Sequence, residues 1–223
     1  MSSTAADATR PLRRDARRNR DLLLTAARTV FASRGLDAPL EEVARQAAVS
    51  IGTLYRRFPT REDLIDALFA DRLAAACDAA RQAADMPDSW AALVHYLTRV
   101  GELQADDLGF NDLVGMSLPR AQAAEASKRR SAELVARLLR RAQDDGVVRP
   151  DVEPEDLTLL IWGTAQVIRA TRDIAPDTWR RYQALMLDAL RPGAAHDLPC
   201  PALTPDQAQQ AMIALGRPRC SRS

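Results

Sequence analysis

The sequence predicts an all-α protein, and three observations predict it. Alanine and leucine dominate a hydrophobic fraction of 47%, while aromatic residues make up only 4%, and both of these residues are strong helix formers. Apolar residues recur at helical spacing, and few stretches are rich in β-branched residues. Glycine, proline and capping residues stand at the ends of those periodic segments. A chain of 223 residues holds one large domain or a small head with a larger body.

Residues 1–14 are small, polar and arginine-bearing, with Pro11 among them, and are expected to form a mobile arm. A first helix is expected from about Asp15 to Ser33. In it Leu23, Ala26, Ala27, Val30 and Phe31 fall at i, i+3, i+4, i+7 and i+8, one apolar stripe. Gly35 closes it, since glycine takes positive φ at little cost. A short second helix follows Pro39, whose missing N–H costs nothing at a helix start, with Glu41 and Glu42 at the positive end of its dipole. Leu40, Val43, Ala44 and Ala47 form its buried side. Ala48 and Val49 make a tight turn. Ser50 is the natural N-cap of a third helix, Ile51 to Phe58, and Pro59 stops it. Thr60 caps a fourth, with Glu62 and Asp63 in its first turn, running uninterrupted to about Ala84.

Beyond it a helix is expected from a Ser89 cap. A broken, glycine-containing stretch follows over residues 109–120. Three further helices span about 121–145, 154–173 and 176–191. Residues 205–215 form a possible short helix in the C-terminal tail. The domain division is therefore arm 1–14, head 15–64, body 65–192 and tail 193–223.

The charge is unevenly spread. Overall it is +1, from 31 basic and 30 acidic side chains. Residues 1–60 carry eleven arginines against six acidic residues, a surplus of +5, which leaves −4 for the rest. A basic head on an acidic body suits a head that meets phosphates. Cys77, Cys200 and Cys220 are too far apart to suggest a disulfide framework, and His95 and His196 lack partners at ligand spacing, so no metal and no cofactor is expected. With no apolar signal segment and no membrane-length apolar run to be read, a cytoplasmic protein is expected. A glycine-rich phosphate loop, a nucleophile elbow and paired carboxylates are missing, so no enzyme is expected.

A helix, a short turn and a second short helix capped by Ser50 match the geometry of a helix-turn-helix DNA reader. Leu54 and Phe58, one turn apart, hold the reading helix on the core. Gly52, Thr53 and Arg56 lie off that stripe. Gly52 lets the backbone approach DNA. Thr53 offers a hydroxyl and a methyl, and Arg56 a bidentate fork for guanine or phosphate. Tyr55 can reach a phosphate, and the helix opening after Thr60 can clamp another with its backbone N–H groups.

The run Arg17 to Arg72 resembles the DNA-binding head of the TetR (tetracycline-repressor) family. Phe31, Gly35, Val43, Ala44, Ala47, Val49, Ser50, Gly52, Leu54, Tyr55, Phe58, Arg61, Glu62 and Leu64 match the family pattern. The resemblance implies DNA contacts by Ser50, Gly52, Thr53, Tyr55, Arg56 and Arg61. Two residues depart from it. Ala48 stands where glycine is frequent, which implies a strained turn. Arg57 stands where histidine is frequent, which implies a stronger and less pH-sensitive phosphate contact. The resemblance further implies a homodimeric, ligand-responsive regulator of double-stranded DNA, a repressor, with a helical body that holds an unidentified small-molecule effector and dimerises through its last two helices.

For the effector pocket the expected residues are His95, Tyr96, Arg99, Phe110, Asn111, Met116, Trp162 and Gln166, the few polar or aromatic groups among aliphatic helices. For the dimer interface they are Ile161, Ile168, Trp179, Tyr182, Met186 and Leu190. The cluster Lys128–Arg130 is expected to be a solvated face. The rival reading is a helical small-molecule-binding protein or enzyme in which the DNA-binding head is secondary.

Overall fold

The computed structural model describes residues 5–114, 121–194 and 196–215. Among the described residues there are ten α-helices, one 3-10 turn and no strand. In chain order the helices are α1 (Ala5–Arg34), α2 (Leu40–Gln46), α3 (Ile51–Arg57), α4 (Arg61–Asp85) and α5 (Ser89–Asp106). They continue with α6 (Leu108–Val114), α7 (Gln122–Asp144), α8 (Pro154–Thr171), α9 (Thr178–Ala189) and α10 (Pro205–Leu215). No helix among the described residues is long and apolar enough to cross a membrane.

The chain divides into two compact units, the first ending at Leu68 and the second beginning at Phe69. Leu64, Ile65 and Leu68, at the start of α4, are buried. In the first unit, Leu23, Ala26, Ala27, Val30 and Phe31 of α1 are all buried, as their spacing requires. With them are Leu40, Val43 and Ala44 of α2, Leu54 of α3 and Phe58. Gly35 ends α1 at φ +81, and its N–H closes on the Phe31 carbonyl at 2.9 Å. The helix begins at Ala5, not near Asp15, so residues 5–14 of the expected arm are helical. Pro11 removes one backbone hydrogen bond from this helix without ending it.

In the second unit α5, α7, α8 and α9 enclose a core that includes Leu93, Leu97, Val100, Leu138, Leu139, Leu157, Leu160 and Leu187. Three local expectations are corrected here. The N-cap of α5 is Asp88, whose Oδ1 accepts the Ala91 N–H at 2.9 Å, and Ser89 is the first helical residue. Part of the stretch read as broken is helix α6, because Asp107 caps it by accepting the Phe110 N–H at 3.1 Å. Helices α8 and α9 stop at Thr171 and Ala189, each two residues short of expectation. The capping of α8 is reciprocal: the Glu153 N–H donates to Asp156 Oδ2 at 2.9 Å, ahead of Pro154 in the first turn. Two glycines allow α5, α8 and α9 to approach closely. A Cβ on Gly101 would meet the Trp179 ring, and one on Gly163 would meet the Tyr182 hydroxyl. The tail helix α10 occupies the residues expected of it.

Candidate nucleic-acid interface and effector cavity

The candidate DNA-reading surface is built from α2, α3 and the turn between them. That turn is wound left-handed at Ala48, φ +55, the single non-glycine residue with positive φ among the described residues. An L-residue with a Cβ pays roughly 1 kcal/mol for this conformation. Ala48 therefore does carry the strain implied by its replacing glycine. The turn is nevertheless closed by the Ala48 N–H on Arg45 O at 3.1 Å and the Val49 N–H on Ala44 O at 3.0 Å.

Ser50 caps α3 as expected, its Oγ accepting the Thr53 N–H at 3.2 Å. The Thr53 hydroxyl lies 2.9 Å from the same oxygen, and Arg56 Nη2 lies 3.5 Å from the Thr53 hydroxyl. Leu54 and Phe58 are buried, which fixes the rotation of the helix. Its opposite side then presents Gly52, Arg56 and Arg57 to solvent, Tyr55 at 44% exposure, and Thr53 half-buried. Nothing stands nearer than 4.0 Å to a Cβ built on Gly52, so the fold itself leaves open space there. α3 carries two arginines in its last turn and no acidic residue. A short, acid-free helix with a hydroxyl, a phenol and two guanidinium groups on its free side has the donor set that reads base edges and holds phosphates.

Thr60 and Asp63 cap α4 reciprocally. The Thr60 N–H donates to Asp63 Oδ2 at 3.0 Å, and the Asp63 N–H donates to Thr60 Oγ1 at 3.1 Å. Arg61 is engaged within the head. Its Nη1 donates to the Leu36 carbonyl at 2.6 Å and to the Ala38 carbonyl at 2.7 Å, and the side chain is half-buried. The guanidinium braces the α1–α2 turn, because two buried residues there leave carbonyls that no helix satisfies.

The second unit contains a cavity of about 410 Å³. Of the eight residues expected at the effector site, Tyr96, Phe110 and Trp162 line it. The others do not. His95 is half-buried and away from the lining, with an unpartnered Nε2. Arg99 is exposed and ion-paired with Glu102 on its own helix. Asn111 is spent on packing, its Nδ2 donating to the Ala165 carbonyl at 3.0 Å. Gln166 is exposed on the outer side of α8. Met116 lies outside the described residues.

The cavity also draws on residues that the sequence reading left out. Glu125 and Lys128 of α7 form an ion pair at 3.3 Å with both side chains largely buried. Lys128 is thus a cavity residue rather than part of a solvated face, whereas Arg129 and Arg130 are exposed. The available signal was Lys128 itself, the one lysine among 31 basic residues. Burial pulls its ammonium below the usual lysine range, and Glu125 works against that pull. Burial pushes the Tyr96 phenol up, so it stays neutral. From the tail helix, Pro205, Gln209 and Met212 complete the lining.

The residues expected at a dimer interface are mostly occupied within one chain. Trp179 and Ile168 are each 2% exposed, and Leu190 is also buried. Met186 packs on the core of its own chain, Ile161 does so while lining the cavity, and Tyr182 is half-buried against Gly163. Their helical spacing is real, but it is the spacing of the faces on which α8 and α9 meet α5 and each other. The large apolar side chains left exposed on these helices are Leu159 and Leu185.

Two family profiles match the chain. Residues 23–68 match the bacterial regulatory proteins, tetR family. Residues 86–192 match the C-terminal domain of SbtR-like transcriptional regulators. A TetR transcriptional regulator of Streptomyces coelicolor is 33% identical, covering 78% of this chain and 99% of that one, with a TM-score of 0.48. The HTH-type transcriptional regulator UidR of Escherichia coli is 29% identical over 147 residues, 62% of this chain and 73% of that protein. A transcriptional regulator FadR of Bacillus subtilis, solved in complex with stearoyl-CoA, is 17% identical over 78% of this chain and 98% of that one, and its TM-score of 0.58 marks a shared fold. With both its head and its body matched, the chain belongs to the TetR family of ligand-responsive transcriptional regulators.

Proposed function

We propose that the protein is an effector-released repressor that binds a pseudo-palindromic operator as a homodimer in the cytoplasm. The observation that carries this reading is the free side of α3, where Gly52, Tyr55, Arg56 and Arg57 are exposed on a helix that Leu54 and Phe58 hold in place. Thr53 and Arg56 read base edges. Tyr55, Arg57 and the first turn after Thr60 hold phosphates. Ser50 acts through its cap.

Reading two half-sites needs two heads. A second copy sits against the outward side of α8 and α9, where Leu159, Gln166 and Leu185 are exposed. The effector occupies the cavity of the body. Helix α4 supplies Leu64 and Leu68 to the buried residues of the first unit and Leu73 and Ala76 to the cavity lining. Occupancy therefore acts on the helix that also begins in the head. Typical couplings of about 1–3 kcal/mol would lower operator affinity roughly 5–150-fold. No catalytic step enters this reading.

Selection of bound DNA from a random pool tests it. The expected product is an inverted repeat whose half-site centres lie about one helical turn, or a small multiple, apart. Thr53→Ala or Arg56→Ala should relax preference at its own base by about 1–3 kcal/mol. Tyr55→Phe should weaken all sequences alike. Binding indifferent to both sequence and salt would overturn the reading.

A further inference from the structure

We propose that the body cavity takes an uncharged, largely apolar effector, and that Glu125 enforces this choice by neutralising Lys128. The inference rests on the reading of this cavity as the effector site. At about 410 Å³ the cavity falls within the range of about 300–1,000 Å³ usual for small-molecule sites. Its wall is aliphatic and aromatic, with Val100, Phe110, Val135, Leu157, Ile161 and Trp162 among its members. Among the described residues the charged ones that reach it are Glu125, Glu155, Lys128 and Arg129, two of each sign, so their formal charge cancels.

The decisive pair is Lys128 with Glu125, one helical turn apart on α7. They stand at 3.3 Å with side chains 19% and 15% exposed. A lone buried ammonium would recruit an anionic ligand, because an unpaired charge in a poorly solvated site is costly. Here a carboxylate already compensates that charge. An incoming anion would shed its water and then either displace Glu125 or lie beside it, and among the described residues no further cation of the buried wall repays that loss. Arg129 is exposed to solvent and does not belong to the buried wall. Uncharged polar groups meet no such penalty. Ser131 reaches the lining and offers a hydrogen bond to a carbonyl or hydroxyl. The neutral Tyr96 phenol belongs to the same set.

Titration calorimetry on the full chain tests this with two shape-matched pairs, 2-dodecanone against undecanoate and 2-acetylnaphthalene against 2-naphthoate. Wild type should bind the ketone of at least one pair about tenfold or more tighter than its carboxylate. Glu125→Gln should raise carboxylate affinity about tenfold and leave ketone affinity within about twofold, while Lys128→Gln should weaken carboxylates further. If Glu125→Gln does not fold, the wild-type preference and Lys128→Gln still decide the matter. A wild-type preference for the carboxylates, or carboxylate affinity unmoved by Glu125→Gln, overturns the inference and leaves the effector reading intact. Binding of none of the four probes overturns the effector reading itself.

Discussion

Arg61 donates to the Leu36 carbonyl at 2.6 Å across 25 residues of sequence, and to Ala38 at 2.7 Å. The residue that family likeness marks for DNA is thus also held by the head's own backbone. Arg61→Ala should destabilise the head by about 1.5–3 kcal/mol, the usual cost of losing charge-assisted hydrogen bonds. Denaturant unfolding monitors this. The dependence of operator affinity on salt should keep its slope, whereas loss of a phosphate contact would reduce the slope by about 1.

Ala48 holds φ +55 at the turn before α3. Ala48→Gly should stabilise the head by about 0.5–1 kcal/mol, since relief of left-handed strain outweighs the extra freedom glycine gives the unfolded chain. Ala48→Val should destabilise it by more, because a β-branched side chain is disfavoured there. Thermal melting of the three proteins in one buffer checks the order Gly above Ala above Val.

Gly101 has no room for a side chain because the Trp179 ring fills that space. Gly101→Ala should cost about 1–3 kcal/mol, as overpacking of a close-packed core does. Trp179→Phe in the same chain should recover part of the loss, because the Cβ would meet Cε3, Cζ3 and Cη2 of the six-membered ring. A double-mutant cycle by urea unfolding measures that coupling.

Helix α10 contributes Pro205, Gln209 and Met212 to the cavity wall, although the family profile of the body ends at residue 192. A chain ending at Thr204 should bind 2-dodecanone roughly tenfold more weakly. This corresponds to loss of about 1.5 kcal/mol, the lower end for burying a methionine-sized side chain. Its operator affinity without ligand should match that of the full chain in a gel-shift titration.

The sequence by itself determined the helices of the head and the rotation of α3. Those features are local: the spacing of Leu23 through Phe31, the Ser50 and Thr60 caps, and the stripe of Leu54 and Phe58 need only neighbours within a turn or two. The same locality made the tight turn at Ala48 and Val49 and the short tail helix legible, while the strain at Ala48 was implied by the family resemblance. Tertiary structure alone decided which side chains share a cavity. Tyr96, Lys128, Trp162 and Met212 lie on four different helices, α5, α7, α8 and α10, and periodicity within one helix does not say which neighbour its face will meet. It also decided that Trp179 and Ile168 are buried in their own chain and that Arg61 reaches back to Leu36. A side chain's composition and spacing show that it must be covered or satisfied; only packing across distant segments supplies the atoms that do it.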